Sequence, residues 1–318
     1  MGSELDGFSD DLIQPGELDH EETARAWNVM IAAILALALT LAACSRAETA
    51  RPDPTVSPTS SMAESPATDQ GITGTFIANG RELFIDCDGQ GSPTFVLEAG
   101  EGVSSTAMNG LKQPLAERGT ACSYDRANQG QSGSAPVPRT AAEIAADLNA
   151  LLSAASVPGP YVLVGHSAGG MFVQMYARTY PENVAGVIAM NPVPPFAEWR
   201  EQGFPEMTKQ ERAAEIAYFE GENGESFDYR VSSEQIAEAP APPDVPFEML
   251  ISTIAQCGSP DDICGRTYAA NEAILEAVSQ EWPDGGFSQV ESGHEIYLSD
   301  LEAILAIVDR VLARIQSD

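Results

Sequence analysis

Basic side chains are scarce in this chain. Its 318 residues hold 16 Lys and Arg against 47 Asp and Glu, a net charge of −31 with an isoelectric point near 4.1. Affinity for phosphate backbones rests on clustered Lys and Arg, so no nucleic acid is expected as a partner. Histidine is rarer still, with three residues, His20, His166 and His294. No His-x-x-x-His or comparable cluster occurs, and neither a metal nor another cofactor is expected. Long apolar runs are absent but for one, Val29 to Ala43, which excludes a polytopic membrane protein. Hydrophobic residues still make up 43% of the chain, with a mean hydropathy of −0.12, enough for a packed core. The dense surface acid serves solubility and speaks of habitat rather than chemistry.

The single apolar run, VMIAAILALALTLAA, has the length of a signal-peptide core and ends in Leu41-Ala42-Ala43-Cys44. Those four residues resemble a bacterial lipobox. The resemblance implies cleavage before Cys44 and lipidation of its thiol, so residues 1–43 are an N-terminal extension and signal peptide. An uncleaved membrane helix is the alternative, against which the run falls short of the ~20 apolar residues a span needs. The acidic segment ahead of the run, with Arg25 its only base, departs from the positive flank of such peptides. Residues 44–70 are rich in Pro, Ser, Thr and Ala without apolar periodicity, and are expected to form a disordered tether with a reach of roughly 30 Å. Location outside the cytoplasm follows, with membrane contact only through the lipid.

From Gly71 onward, short apolar runs alternate with helical stretches, the pattern of a mostly parallel sheet covered on both faces. Gly74 to Ala78 and Arg81 to Cys87 read as a hairpin turning at Asn79-Gly80. Thr94 to Glu98, Ala121 to Tyr124, Tyr161 to Val164 and Val184 to Met190 read as buried strands. Thr140 and Glu143 form a capping box ahead of a helix reaching Ala154. Between residues 194 and 244 the alternation stops, and a helical cap insertion is expected there. Strand signal returns at Phe247 to Thr253 and at Phe287 to Glu291. Helices are expected from Tyr268 to Gln280 and from Leu301.

One motif carries chemistry. Gly165-His166-Ser167-Ala168-Gly169 directly follows the strand Tyr161 to Val164 and precedes a helical run, Met171 to Tyr180. A strand, tight turn and helix around G-x-S-x-G is the context of a nucleophile elbow, where a sharp turn lifts the Ser hydroxyl clear of the backbone. With Thr94 to Gly100, Tyr124-Asp125-Arg126, Gln129-Gly130-Gln131-Ser132 and Tyr161 to Gly170, this stretch resembles the lipase and esterase branch of the α/β-hydrolase superfamily. The resemblance implies an α/β fold: an eight-stranded, mostly parallel sheet with helices on both faces and a small helical cap. It also implies a triad in the chain order Ser, acid, His.

Ser167 is then the nucleophile and His294 the base. His20 lies in the removable segment, and His166 reads as a packing residue of the turn. His294 follows a strand and precedes the last helix, where the family keeps its catalytic His. Glu291 and Glu295 beside it are expected to raise its pKa. The family pattern places the oxyanion hole at the backbone N–H groups of Ala168 and Glu101, with the Glu101 side chain turned away. Asn128 stands where relatives often have Gly and can take the left-handed turn conformation. The acid is expected after the seventh strand, at Asp262, with Asp261 as the runner-up. Asn191, after the sixth strand, cannot balance an imidazolium. The family's strand order implies a Cys87–Cys122 disulfide, and Cys257 and Cys264, seven apart, are expected to form a second.

Together these readings point to a serine hydrolase cleaving carboxylic esters of small molecules through an acyl-enzyme, acting as a monomer. Carbon–carbon bond hydrolysis, cofactor-free perhydrolysis and a non-catalytic binding lipoprotein use the same scaffold and remain open. An Asp at position 167 would instead have indicated dehalogenase or epoxide-hydrolase chemistry.

Overall fold

The computed structural model describes residues 71–317. The signal segment 1–43, Cys44 and the tether 44–70 lie outside the described residues. Eight strands form one sheet: β1 (Thr73–Ala78), β2 (Arg81–Gly89), β3 (Thr94–Glu98), β4 (Thr120–Tyr124), β5 (Tyr161–His166), β6 (Val184–Met190), β7 (Pro246–Ser252) and β8 (Asp284–Val290). Their spatial order is β1-β2-β4-β3-β5-β6-β7-β8, and all neighbours pair in parallel except β1 with β2 and β2 with β4. This is the α/β architecture expected from the sequence.

The central strands are buried on both faces, which is why they read as unbroken apolar runs such as Thr94–Glu98 and Val162 to Val164. Alternate residues feed two cores. Val96 faces one that includes Leu148 and Leu151 of α2 (Ala141–Ala154) and Phe172 and Tyr176 of α3 (Ala168–Thr179). Phe95 and Leu97 face the other, with Leu111 and Leu115 of α1 (Asn109–Ala116) and Ile304 and Val308 of α9 (Leu301–Ile315). The first turn of α2 is closed by the Thr140–Glu143 capping box.

β1 and β2 turn at Asn79-Gly80, with φ of 48° and 76°, the left-handed pair such two-residue hairpins require. β2 then runs antiparallel to β4 with Cys87 directly opposite Cys122, and a disulfide joins them. A second joins Cys257 to Cys264.

Three helices stand between β6 and β7: α4 (Phe196–Gln202), α5 (Lys209–Phe219) and α6 (Tyr229–Glu238). They rest on α3 through an aromatic cluster in which Phe172 meets Phe227 edge to face at 4.8 Å. In the C-terminal third, two element starts lie three or more residues before their expected places. The helix expected from Tyr268 is α7 (Ile263–Gln280), which starts five residues earlier because the Asp262 side chain caps it. The strand expected from Phe287 begins three residues earlier, at Asp284, whose Cα partner is Pro246 of β7. The short α8 (Ile296–Ser299) precedes α9.

Candidate active site

Ser167 occupies a backbone conformation few residues adopt, φ 53° and ψ −119°, between the end of β5 and the start of α3. The surroundings enforce it. A Cβ at position 165 would stand 2.3 Å from the carbonyl oxygen of Gly169, and one at position 169 would stand 2.2 Å from that of Glu98. Only glycine fits either place, so the turn is as tight as the adjacent strand allows. The Ser167 N–H donates to Met190 O at 2.9 Å and its carbonyl accepts from Gly170 N–H at 2.9 Å. Its main chain is thereby fixed from both sides, while its side chain faces a pocket of about 230 Å³ that His294 also lines.

His294 follows β8 and precedes α8, and its main chain is held more firmly than its ring. The His294 carbonyl accepts from Asn191 Nδ2 at 2.8 Å and from His166 Nε2 at 3.0 Å. Asn191, at a left-handed φ of 42°, also accepts from Ser252 N–H at 2.7 Å and donates to Ser252 Oγ at 2.9 Å. Ser252 Oγ in turn donates to Gly293 O at 2.6 Å. The His294 loop is thus pinned by the ends of β5, β6 and β7. His166 is buried with its ring edge-on to Tyr297 at 5.0 Å, and burial pulls its pKa down to about 4. It is neutral at ordinary pH, with the Nε2 proton directed at the His294 carbonyl. Sequence reasoning took it for packing and gave Asn191 no part. The one available signal was that Asn tolerates the left-handed backbone a strand end can demand.

The expectation that acidic neighbours raise the His294 pKa is overturned. Although His294 keeps an exposed edge, desolvation lowers its pKa and outweighs the opposing field of Glu295.

The loop after β3 passes directly against Ser167, since a Cβ on Gly100 would lie 3.4 Å from the Ser167 Cβ. Its N–H at Glu101, like that of Ala168 at the start of α3, donates to no acceptor among the described residues. The Glu101 side chain turns away into the cap, where Tyr218 and Tyr229 hydroxyls donate to Oε2 at 2.7 Å and Gly224 N–H donates to Oε1 at 2.7 Å. Beneath the loop lies Arg126, buried between two buried carboxylates. It donates to Glu98 Oε1 at 2.7 Å, to Glu225 Oε1 at 2.6 Å, and to the carbonyls of Ala99 (2.7 Å) and Gly100 (2.6 Å). Glu225 Oε1 also accepts from Gly102 N–H at 2.6 Å. One guanidinium therefore ties β3, the loop and the cap together. Asn128 takes the left-handed φ of 75° nearby.

Residues 93–225 match the family model described as the alpha/beta hydrolase fold. With the sheet order and the elbow, that match decides the architecture. The chain has the α/β-hydrolase fold. YqjL of Bacillus subtilis, described as uncharacterized, is 34% identical over 104 residues, 33% of this chain and 41% of its own. The chain spans less than half the length of the curated relatives it matches. A thermophilic esterase from Thermogutta terrifontis superposes with a TM-score of 0.54 at 17% identity, covering 76% of this chain and 98% of the esterase. A mutant epoxide hydrolase of Vigna radiata gives 0.54 at 16% identity, covering 77% and 98%. At such identities the two structures establish the hydrolase fold and nothing finer.

The two aspartates expected to supply the acid lie on the loop that begins α7. Asp262 caps α7: one carboxylate oxygen accepts from Gly265 N–H and the other from Ser259 N–H, both at 2.8 Å. Asp261 is exposed on the same loop, and neither residue bonds or pairs with His294. The sequence reading treats this loop aspartate as free, whereas the helix it begins takes both its oxygens. Asp284 is at the start of β8 and pairs with Arg314. Cys257, Asp262 and Cys264 are grouped closely enough to suggest a metal site, but the two sulfurs are bonded to each other. A larger cavity of about 500 Å³, lined by Arg178, Phe196 and Leu275 among others, contains neither Ser167 nor His294.

Proposed function

We propose that the chain is a serine hydrolase that cleaves carboxylic esters through an acyl-enzyme. The observation that carries the reading is Ser167 on a strained strand-to-helix turn, facing the same pocket as His294. Ser167 Oγ attacks the ester carbonyl carbon while His294 accepts its proton, because a serine hydroxyl is a poor nucleophile until a base takes that proton. The tetrahedral oxyanion is received by the Glu101 and Ala168 N–H groups, the donors left without protein acceptors. Collapse expels the alcohol, which takes the proton from His294. Water then repeats the sequence to free the acid and restore Ser167. The carboxylate whose field acts on His294 is Glu295.

Three measurements bear on this reading. A fluorophosphonate probe should label the full chain once, and peptide mapping should place the adduct on Ser167. Absence of labelling would favour a binding protein on the same fold. Second, the base works only when neutral and its pKa is lowered by desolvation, so kcat/KM for an activated ester should rise with pH through a midpoint below 6.5, the ordinary histidine value. A midpoint above 6.5 would contradict that direction of shift. Third, Asp262→Ala should cost about 1 kcal/mol of stability by loss of a helix cap, with turnover kept within about threefold. A collapse of turnover in a folded Asp262→Ala protein would restore it as the acid.

Export to the cell surface with Cys44 lipidated is part of the same proposal. Its supports are the Leu41 to Cys44 motif and the two disulfides, which persist in oxidising compartments. A Cys44→Ser chain should leave the membrane fraction, and unchanged fractionation would remove the anchor from the proposal.

A further inference from the structure

The pocket shared by Ser167 and His294 contains a carboxylate with no cation to answer it. Glu215, on α5, lines that pocket beside Trp199, Tyr218 and Phe219. Its Oε1 accepts from Trp199 Nε1 at 2.8 Å, and no basic side chain pairs with it among the described residues. Several other buried carboxylates are matched by cations, Glu98 and Glu225 by Arg126, Glu248 by Arg310 and Arg314, Asp147 by Arg81 and Arg139. Asp125 and Glu101 are each held by two or three neutral donors, whereas Glu215 has one, Trp199. Neither this pocket nor the adjoining one of about 230 Å³, which continues past Gln256 and Asn271 to Tyr268, is lined by any Lys or Arg. Without such a partner, burial pushes the Glu215 carboxyl above its ordinary range.

A half-buried anion among aromatic rings is a poor arrangement for a neutral or anionic ligand. For a cation it is a good one, because the ring faces carry negative charge density and a desolvated ammonium gains from both. The position matters as much as the chemistry, since the carboxylate stands in the same pocket as the reacting groups. We propose that the substrate of this site carries an ammonium group, received by Glu215 with the rings of Trp199, Tyr218 and Phe219 while its ester lies against Ser167. This rests on the ester-hydrolase reading above. The net charge of −31 adds a long-range field that draws cations toward the protein at low salt.

Acetylthiocholine and its uncharged isostere, S-(3,3-dimethylbutyl) thioacetate, differ only in nitrogen against carbon and therefore isolate the charge. The full chain should show kcat/KM higher for the cationic ester by about tenfold, the scale of one desolvated cation–aromatic contact. Glu215→Gln keeps an acceptor for Trp199 and should bring the ratio of the two kcat/KM values close to one. Choline and 3,3-dimethylbutanol, titrated calorimetrically into the Ser167→Ala chain, give the same comparison without turnover, and choline alone should bind. A ratio near one in the wild-type chain, a ratio that Glu215→Gln leaves unchanged, or equal binding of the two alcohols would each overturn the inference. Turnover of the neutral ester with no preference sinks this inference alone. If neither ester turns over and no fluorophosphonate adduct forms, the hydrolase reading fails and takes the inference with it.

Discussion

Ser167→Ala should lower kcat on an activated ester by about four to six orders of magnitude while leaving thermal stability nearly unchanged. The catalytic half follows from the chemistry: with no hydroxyl there is no acyl-enzyme, and what remains is water attacking a carbonyl polarised by two N–H groups. Members of a nucleophile–base set act as a unit, and a serine protease stripped of its serine retains only the roughly 10³–10⁴-fold advantage over water that binding and the oxyanion hole supply. The stability half follows from the structure. Ser167 Oγ makes no hydrogen bond to a described residue, and the bonds that fix the turn come from its main-chain N–H and carbonyl. Alanine keeps both, and it carries the same Cβ into the same left-handed conformation, so the strain is inherited rather than added. Circular dichroism melting and burst-free kinetics on p-nitrophenyl acetate check the two halves. A variant with more than about one per cent of wild-type turnover would remove Ser167 from the nucleophile's role.

Much of this site was legible because its requirements are local. Gly165 and Gly169 are dictated by contacts of 2.3 and 2.2 Å with main-chain oxygens, and such contacts leave a mark in the sequence that no other residue can mimic. The parallel strands show as apolar runs for an equally local reason, burial on both faces. By contrast α1 escaped notice, since Gly110 and Pro114 interrupt its pattern and, of its apolar side chains, Leu111 and Leu115 alone are fully buried. Its Lys112 is buried by pairing with Asp86 and Asp88 across to β2, a contact no spacing reveals.

The surroundings of His294 were illegible for a related reason. The groups that fix its loop come from the ends of β5, β6 and β7: His166 and Asn191 donate to the His294 carbonyl, and Ser252 donates to that of Gly293. Each looks unremarkable alone, and only the sheet order makes them neighbours. Asp262 looked free in the sequence because the capping of α7 depends on where that helix begins, and the apolar periodicity placed the start too late. The sign of the His294 shift failed likewise. Two nearby glutamates are visible in the sequence, whereas the partial desolvation that the fold imposes on His294 is not.

The opposite profile to Ser167 belongs to Arg126, where function and stability should fall together and can then be pulled apart. Arg126→Met removes the only cation between Glu98 and Glu225, which are 0% and 7% exposed. Breaking a buried ion pair from one side costs about 3–5 kcal/mol, because the surviving charge keeps its desolvation penalty and loses its partner. For a domain of this size that corresponds to a fall in Tm of about 10 °C. Two carboxylates are orphaned here, and Glu98 is already held above the ordinary glutamate range by burial, so it has a proton within reach and blunts part of the loss. Activity falls for a separate reason. Arg126 holds the carbonyls of Ala99 and Gly100, and through Glu225 the N–H of Gly102, so the Glu101 N–H, the proposed oxyanion donor, loses the frame that holds it. One misplaced oxyanion donor costs about 10²–10³ in kcat. Adding Glu98→Gln and Glu225→Gln to Arg126→Met removes the orphaned charges and should return a large part of the lost Tm. It restores none of the bonds to Ala99 and Gly100, so kcat should stay low in the triple variant while KM changes little. Recovery of kcat together with Tm would show that the guanidinium serves the fold alone and that the loop holds its own geometry.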